Sequence, residues 1–100
     1  MAARRNFAKL IHEAAIRDAE LRDQATRAAK STHCNLSEGL PSRSPPMRRQ
    51  RFAVADGSLH EALGAVDLAA AIGAVDDASA EAIQIQGATL FRLLRGLLRQ

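Results

Sequence analysis

Three groups of residues in this 100-residue chain are of types that can do chemistry: His33 beside Cys34, the pair Asn35 and Glu38, and the arginines Arg43, Arg48, Arg49 and Arg51. A histidine next to a cysteine offers a metal-ligand pair or a base-activated nucleophile. Neighbouring residues on a helix point about 100° apart, however, so the two side chains cannot converge on one ion or one proton. His12 and His60 stand at no i, i+4 spacing to either and complete no ligand set. Cys34 therefore reads as a small, half-buried packing residue. Glu38 has no second acid, nucleophile or placed histidine to work with, which leaves it without the company catalysis needs. Asn35 and Glu38 read instead as groups that hydrogen-bond across to a facing helix or cap backbone groups near Gly39. No catalytic residue, metal site or cofactor is expected, and the chain reads as non-enzymatic.

The arginines point to a different chemistry, that of binding anions. Residues 1–51 carry eleven Lys and Arg against five acids, and residues 52–100 carry three Arg against six, so a first half near +6 is joined to a second near −3 within the overall +3. Such a split steers polyanions to one part of a molecule or makes complementary surfaces between subunits. The expected nucleic-acid contacts are Arg22, Arg27, Lys30, Arg43, Arg48, Arg49 and Arg51, with Arg27 alternatively pairing with an acid inside an assembly. Binding should be weak and indifferent to sequence: the loop cluster sits at a helix start, where positive charge opposes the dipole, and no exposed aromatic is foreseen for base stacking. The competing expectation is a protein-interaction module that docks an acidic or helical partner without its own affinity for nucleic acid.

These groups must be positioned by helices. Only Phe7, Phe52 and Phe91 are aromatic and Ala is abundant, so strand signals are sparse. Phe7, Leu10, Ile11, Ala14 and Ala15 predict a short first helix over about residues 3–16. A second stripe, Leu21, Ala25, Ala28, Ala29, Thr32, Asn35 and Leu36, ends at Gly39, where a left-handed residue would close the helix, with Pro41 barring continuation. Its small residues imply a closely approaching neighbour. Between the two, Asp18 is a cap or a bend, and the helices are either separated by a turn or continuous. Ser44 then caps a long third helix over about residues 45–71, begun by Pro45, with Phe52, Ala55, Leu59, Ala62, Leu63, Val66 and Ala69 inward. Gly57 and Gly64 lie on one face, where close packing should compensate their cost of about 1 kcal/mol each. Gly73 stops that helix, Asp76 or Asp77 caps a fourth, and Ile83, Gly87, Leu90, Leu94 and Leu97 form its stripe, broadened by Phe91 and Leu98. Arg92, Arg95 and Arg99 load its last turns with the sign the dipole favours.

The expected architecture is one all-α domain over residues 1–100, an up-down-up-down antiparallel four-helix bundle with a short first helix. One domain of this size has a high surface-to-volume ratio, so a partner subunit is expected to complete burial. The lone Cys34 cannot form an intramolecular disulfide, and the longest apolar run, residues 68–75, is far short of the roughly 20 residues a span requires. The expectation is a soluble, cytoplasmic protein without membrane contact.

Taken in order, the segments QxxRAAxS, NLSEG, a polar loop, RF with AxGSLxEA, LAxxIG and LxxLLRGLLR resemble the four-helix bundle proteins encoded by ribosomal RNA intervening sequences. That family includes the accessory variability determinant of diversity-generating retroelements, which works beside a reverse transcriptase. The resemblance covers residues 21–99, with a looser fit over residues 7–16. It implies a ring-like homopentamer with a basic surface, no cofactor, and association with RNA or DNA or with a protein such as a reverse transcriptase. Carried over by position, Gln24, Arg27, Ala28, Ala29, Ser31, Asn35, Glu38 and Gly39 make the helix 2 motif, and Gly57, Ser58 and Glu61 the helix 3 motif, all structural. Thr32, His33 and Cys34 depart from the family pattern, in which an apolar residue follows the serine. The first helix is also shorter than the family's, which buries less area at roughly 25 cal/mol per Å² and leaves more stabilisation to oligomer contacts.

Overall fold

The computed structural model describes residues 2–99, which form four helices: α1 (Ala2–Glu13), α2 (Ala19–Gly39), α3 (Pro45–Ala71) and α4 (Asp77–Leu98). Each of the three longer helices begins where a side chain can accept the free backbone N–H groups of its first turn. Asp18 Oδ1 accepts from Leu21 N at 2.9 Å, Ser44 Oγ from Met47 N at 3.4 Å, and Asp76 Oδ1 from Ser79 N at 2.8 Å. The Ser79 backbone bond and then its hydroxyl hold the Asp76 carboxyl below its usual value. Pro45 opens α3, where its missing N–H costs nothing.

The first helix ends earlier than its apolar spacing predicts, at Glu13, and a turn separates it from α2. Ala15 makes that turn in the left-handed region, with φ 53°. Arg17 then fastens it to the α3–α4 turn, through N to Ala74 O at 2.7 Å and Nη2 to Gly73 O at 2.6 Å. Gly73, with φ 75°, supplies the conformation that ends α3.

In section the helices form a closed cycle, α1 against α2 and α4, α2 against α3, and α3 against α4, with α2 and α3 the most extensive pair. Contact partners fall along one helix as they rise along its neighbour: Arg51 meets Glu38 and Ser58 meets Ser31 across α2 and α3. Gln84 meets Leu63, and His60 meets Phe91, across α3 and α4. The bundle is 43 Å long, as 27 residues of α3 rising about 1.5 Å each require. Its core is Phe7, Ile11, Ile16, Leu36, Phe52, Leu59, Val66, Ile83, Leu90 and Leu94, filled between by buried alanines. No described helix is long and apolar enough to cross a membrane.

Two expectations about packing fail. Gly57 and Gly64 are exposed, with nothing within 4 Å of where a Cβ would stand. The close approaches are at Gly39, where a Cβ would lie 2.7 Å from the Phe52 ring, and at Gly87, where it would lie 2.5 Å from Leu63. Cys34 is exposed rather than half-buried, because the inward positions at this level of α2 are taken by Thr32 and Leu36.

Candidate nucleic-acid interface

The α2–α3 seam is built on small residues. Ala25, Ala28, Ala29 and Thr32 are all buried, and the Thr32 hydroxyl donates to Ala28 O at 2.9 Å. A polar side chain inside the stripe is thus satisfied within its own helix and needs no partner across the core. The motif residues of α2 and α3 meet at this seam. Ser31 and Ser58 share a hydroxyl hydrogen bond at 2.7 Å, and Asn35 Nδ2 donates to Ser31 O at 2.8 Å and Ser31 Oγ at 3.3 Å. Ser31, not Asn35, makes the crossing. Above the seam, Gln24, Arg27, Ala28, Ser31, Ser58 and Glu61 line an open hollow of about 530 Å³. Glu38 reaches α3 as an ion pair, accepting from Arg51 Nη1 at 3.0 Å. With both side chains about half exposed, the pair contributes at most about 1 kcal/mol.

The cations sort by end of the molecule more sharply than by half of the sequence. At the end holding the α2–α3 loop lie Arg43, Arg48, Arg49 and Arg51, and the last turns of α4 bring Arg95 and Arg99 there. Arg48 and Arg49 line one hollow with Leu97. The start of α1 adds Arg4 and Arg5, the latter beside Cys34 near the end of α2. Against these eight arginines stands Glu38. The opposite end, where Arg17 joins the two turns, holds Glu13, Asp18, Glu20, Asp23, Asp76 and Asp77 with Arg17 and Arg22.

Several of the expected contact residues are already engaged. Arg22 Nη1 donates to Ile16 O at 3.0 Å, and Arg27 pairs with Asp23 of its own helix at 3.4 Å. Arg48 lies over the Phe52 ring, 5.5 Å from its centroid, and Arg95 over Phe91 at 4.4 Å. Arg43, Arg49 and Lys30 are in no ion pair among the described residues. Arg4 has Nε and Nη1 buried with no hydrogen-bond partner there.

A second basic feature runs along the α1–α2 furrow, and sequence reasoning missed it. One hollow of about 260 Å³ is lined by Arg5, Ala8, Lys30, His33 and Cys34, and the next, of about 300 Å³, by Ala8, Lys9, Ile11, His12, Thr26, Ala29 and Lys30. The two share Ala8 and Lys30, and no carboxylate lines either. Its signal was present as Arg5, Lys9 and His12, four and three apart, opposite Thr26, Lys30 and His33 with the same spacing. A third surface is apolar: Val54 and Leu68 on α3 and Ile72 just past its end are between 45 and 57 % exposed, and the two open glycines stand among them.

The sequence model of the 23S rRNA-intervening sequence proteins matches residues 3–96, nearly all of the chain. The protein belongs to this family. No curated protein matches it. In this 23S rRNA-intervening sequence protein the α2 and α3 signature residues Gln24, Ser31, Asn35, Glu38, Gly39 and Ser58 all lie at the α2–α3 seam or line its hollow. Gly57 does not join them, having no neighbour where a Cβ would stand.

Proposed function

We propose that the protein is a non-enzymatic, self-associating bundle of the cytoplasm that binds RNA or DNA weakly and without reading sequence, through its arginine-rich end. The observation that carries this is the gathering of eight arginines from four separate segments around one carboxylate. Phosphates are the partner such a surface fits. With few stacking groups at this end, affinity comes from counterion release, so it falls steeply with salt. Self-association, as a ring of five on the family resemblance, repeats the end and turns a weak site into a multivalent one. Titration of mixed-sequence RNA and DNA at several salt concentrations tests the proposal. Binding that weakens linearly on logarithmic axes supports it, and no binding at low salt rejects it.

The outward face of α3 favours a second reading, a module that docks a protein. Val54 and Leu68 stand exposed on α3 and Ile72 just past its end, and large apolar side chains left open on one face suit a protein partner. Recovery of one stoichiometric protein partner that survives nuclease and high salt would favour this reading. Recovery of nothing specific would count against it.

A further inference from the structure

We infer that the furrow between α1 and α2 is the track for a single nucleic-acid strand, and that it makes the protein prefer single strands to duplex. The inference rests on the nucleic-acid reading above and assigns the bound strand a place and a form. Arg5 and Lys9 stand on one wall, about 6 Å apart along the axis of α1, with Lys30 on the other. The furrow thus has a cationic rim on both sides and no carboxylate in its lining. Its floor is apolar, made by Ala8, Ile11 and Ala29.

A charged rim over an apolar floor suits a polymer with one charged edge and one flat apolar one. Phosphates lie along the rim while bases turn inward. Groups for stacking are present after all: His12 and His33 flank the furrow, and imidazole faces and guanidinium planes both accept unpaired bases. A duplex offers this surface only its phosphates, since its bases are stacked on each other. Packed helices stand about 8–10 Å apart, so the furrow is also too narrow to seat a double helix. Its Arg5 end lies at the same end of the molecule as the other arginines.

The chain carries its own reporter, because the lone Cys34 is exposed and lines the furrow. The test uses an RNA strand of about 12 nucleotides and the duplex of the same sequence, with binding followed by fluorescence anisotropy. Alkylation of Cys34 by iodoacetamide is followed in parallel by mass spectrometry. The single strand should bind about tenfold more tightly than the duplex and slow alkylation in proportion to the fraction bound. Exchanging both rim lysines, Lys9→Ala with Lys30→Ala, should reduce the logarithmic salt slope for the strand by about 1.4, the release expected for two phosphates. Both lysines are exposed, so the fold is retained, which circular dichroism checks. Binding with an unchanged Cys34 rate, or equal affinity for strand and duplex, would overturn the furrow and leave the arginine end as the site. No binding of either form would reject the nucleic-acid reading itself.

Discussion

Replacing glycine by alanine at four helical positions should give effects of opposite sign, set by what each new methyl meets. At Gly39 the added Cβ would stand 2.7 and 3.0 Å from two atoms of the Phe52 ring and 3.1 Å from Arg51 Cβ. Carbon atoms prefer about 3.5–4.0 Å, so α2 and α3 must separate by several tenths of an ångström, and the buried ring has little freedom to yield. Overpacking of this kind costs about 1–3 kcal/mol, against at most about 1 kcal/mol gained from helix propensity. Gly39→Ala should therefore lose about 1–2 kcal/mol. Gly57 and Gly64 have nothing within 4 Å, so only the propensity gain remains, about 0.5–1 kcal/mol each. Gly87→Ala falls between, since the Leu63 tip it meets can rotate away.

For a domain of this size about 1 kcal/mol moves Tm by about 4–8 °C, which thermal unfolding by circular dichroism resolves easily. The measurement belongs at concentrations where sedimentation shows the same state for every variant, because association adds its own stabilisation. Gly57→Ala or Gly64→Ala that lost stability while monomeric would refute the geometric account of these faces. So would Gly39→Ala as stable as the parent. If the outer face of α3 packs against another molecule, the same α3 variants should gain stability as monomers yet associate less tightly.

Further tests address the turns, the caps and the basic end. Ala15→Gly should stabilise by up to about 1 kcal/mol, since glycine accepts the left-handed backbone there; urea unfolding measures it, and a loss would show that the turn's φ is not positive in solution. Asp18→Ala should cost about 1 kcal/mol in the same assay by leaving Leu21 N without its acceptor. Because Asp76 has a lowered folded value, its charged cap contributes fully above its unfolded value of about 3.8 and is lost as pH falls through the folded one. Protection of the Ser79 amide from exchange should drop across that interval, and Asp76→Asn, still a cap, should remove this pH dependence. Arg43→Ala with Arg49→Ala should lower the salt slope for nucleic acid by about 1.4–1.8, whereas Arg27→Ala, paired with Asp23 outside the basic end, should change it less.

Much of the fold was legible because its signals are local. Ser44 before Pro45 and Gly73 before Asp76 each mark a boundary through one residue's backbone chemistry. Gly39, by contrast, stands at the end of α2 without the left-handed backbone expected of it, Leu40 capping the helix in the right-handed region and the Phe52 ring accounting for the glycine. The break between α1 and α2 was not legible, because an alanine makes the left-handed turn and Arg17 holds it from residues far along the chain. The open glycines of α3 were misread for a related reason. Spacing places Gly57 and Gly64 on one face, but it carries no information on whether a neighbour occupies that face within the same chain.

The candidate site was half legible, and the missing half is topological. Counting charge by sequence half joined Arg22 and Arg27 to the loop arginines and left Arg95 and Arg99 as ornaments of a helix dipole. Folding reverses both assignments, since helices whose contacts run in opposite senses bring the end of α4 beside the start of α3 and carry Arg22 to the acidic end. The same reversal sets Arg5 and Lys9 facing Lys30 across a furrow, though more than twenty residues separate them. A charge pattern along a helical chain thus becomes a surface only after each helix is assigned a direction. In this bundle the alternation concentrates arginines from four segments at one end, and attraction to a polyanion depends on that concentration far more than on the net charge of +3.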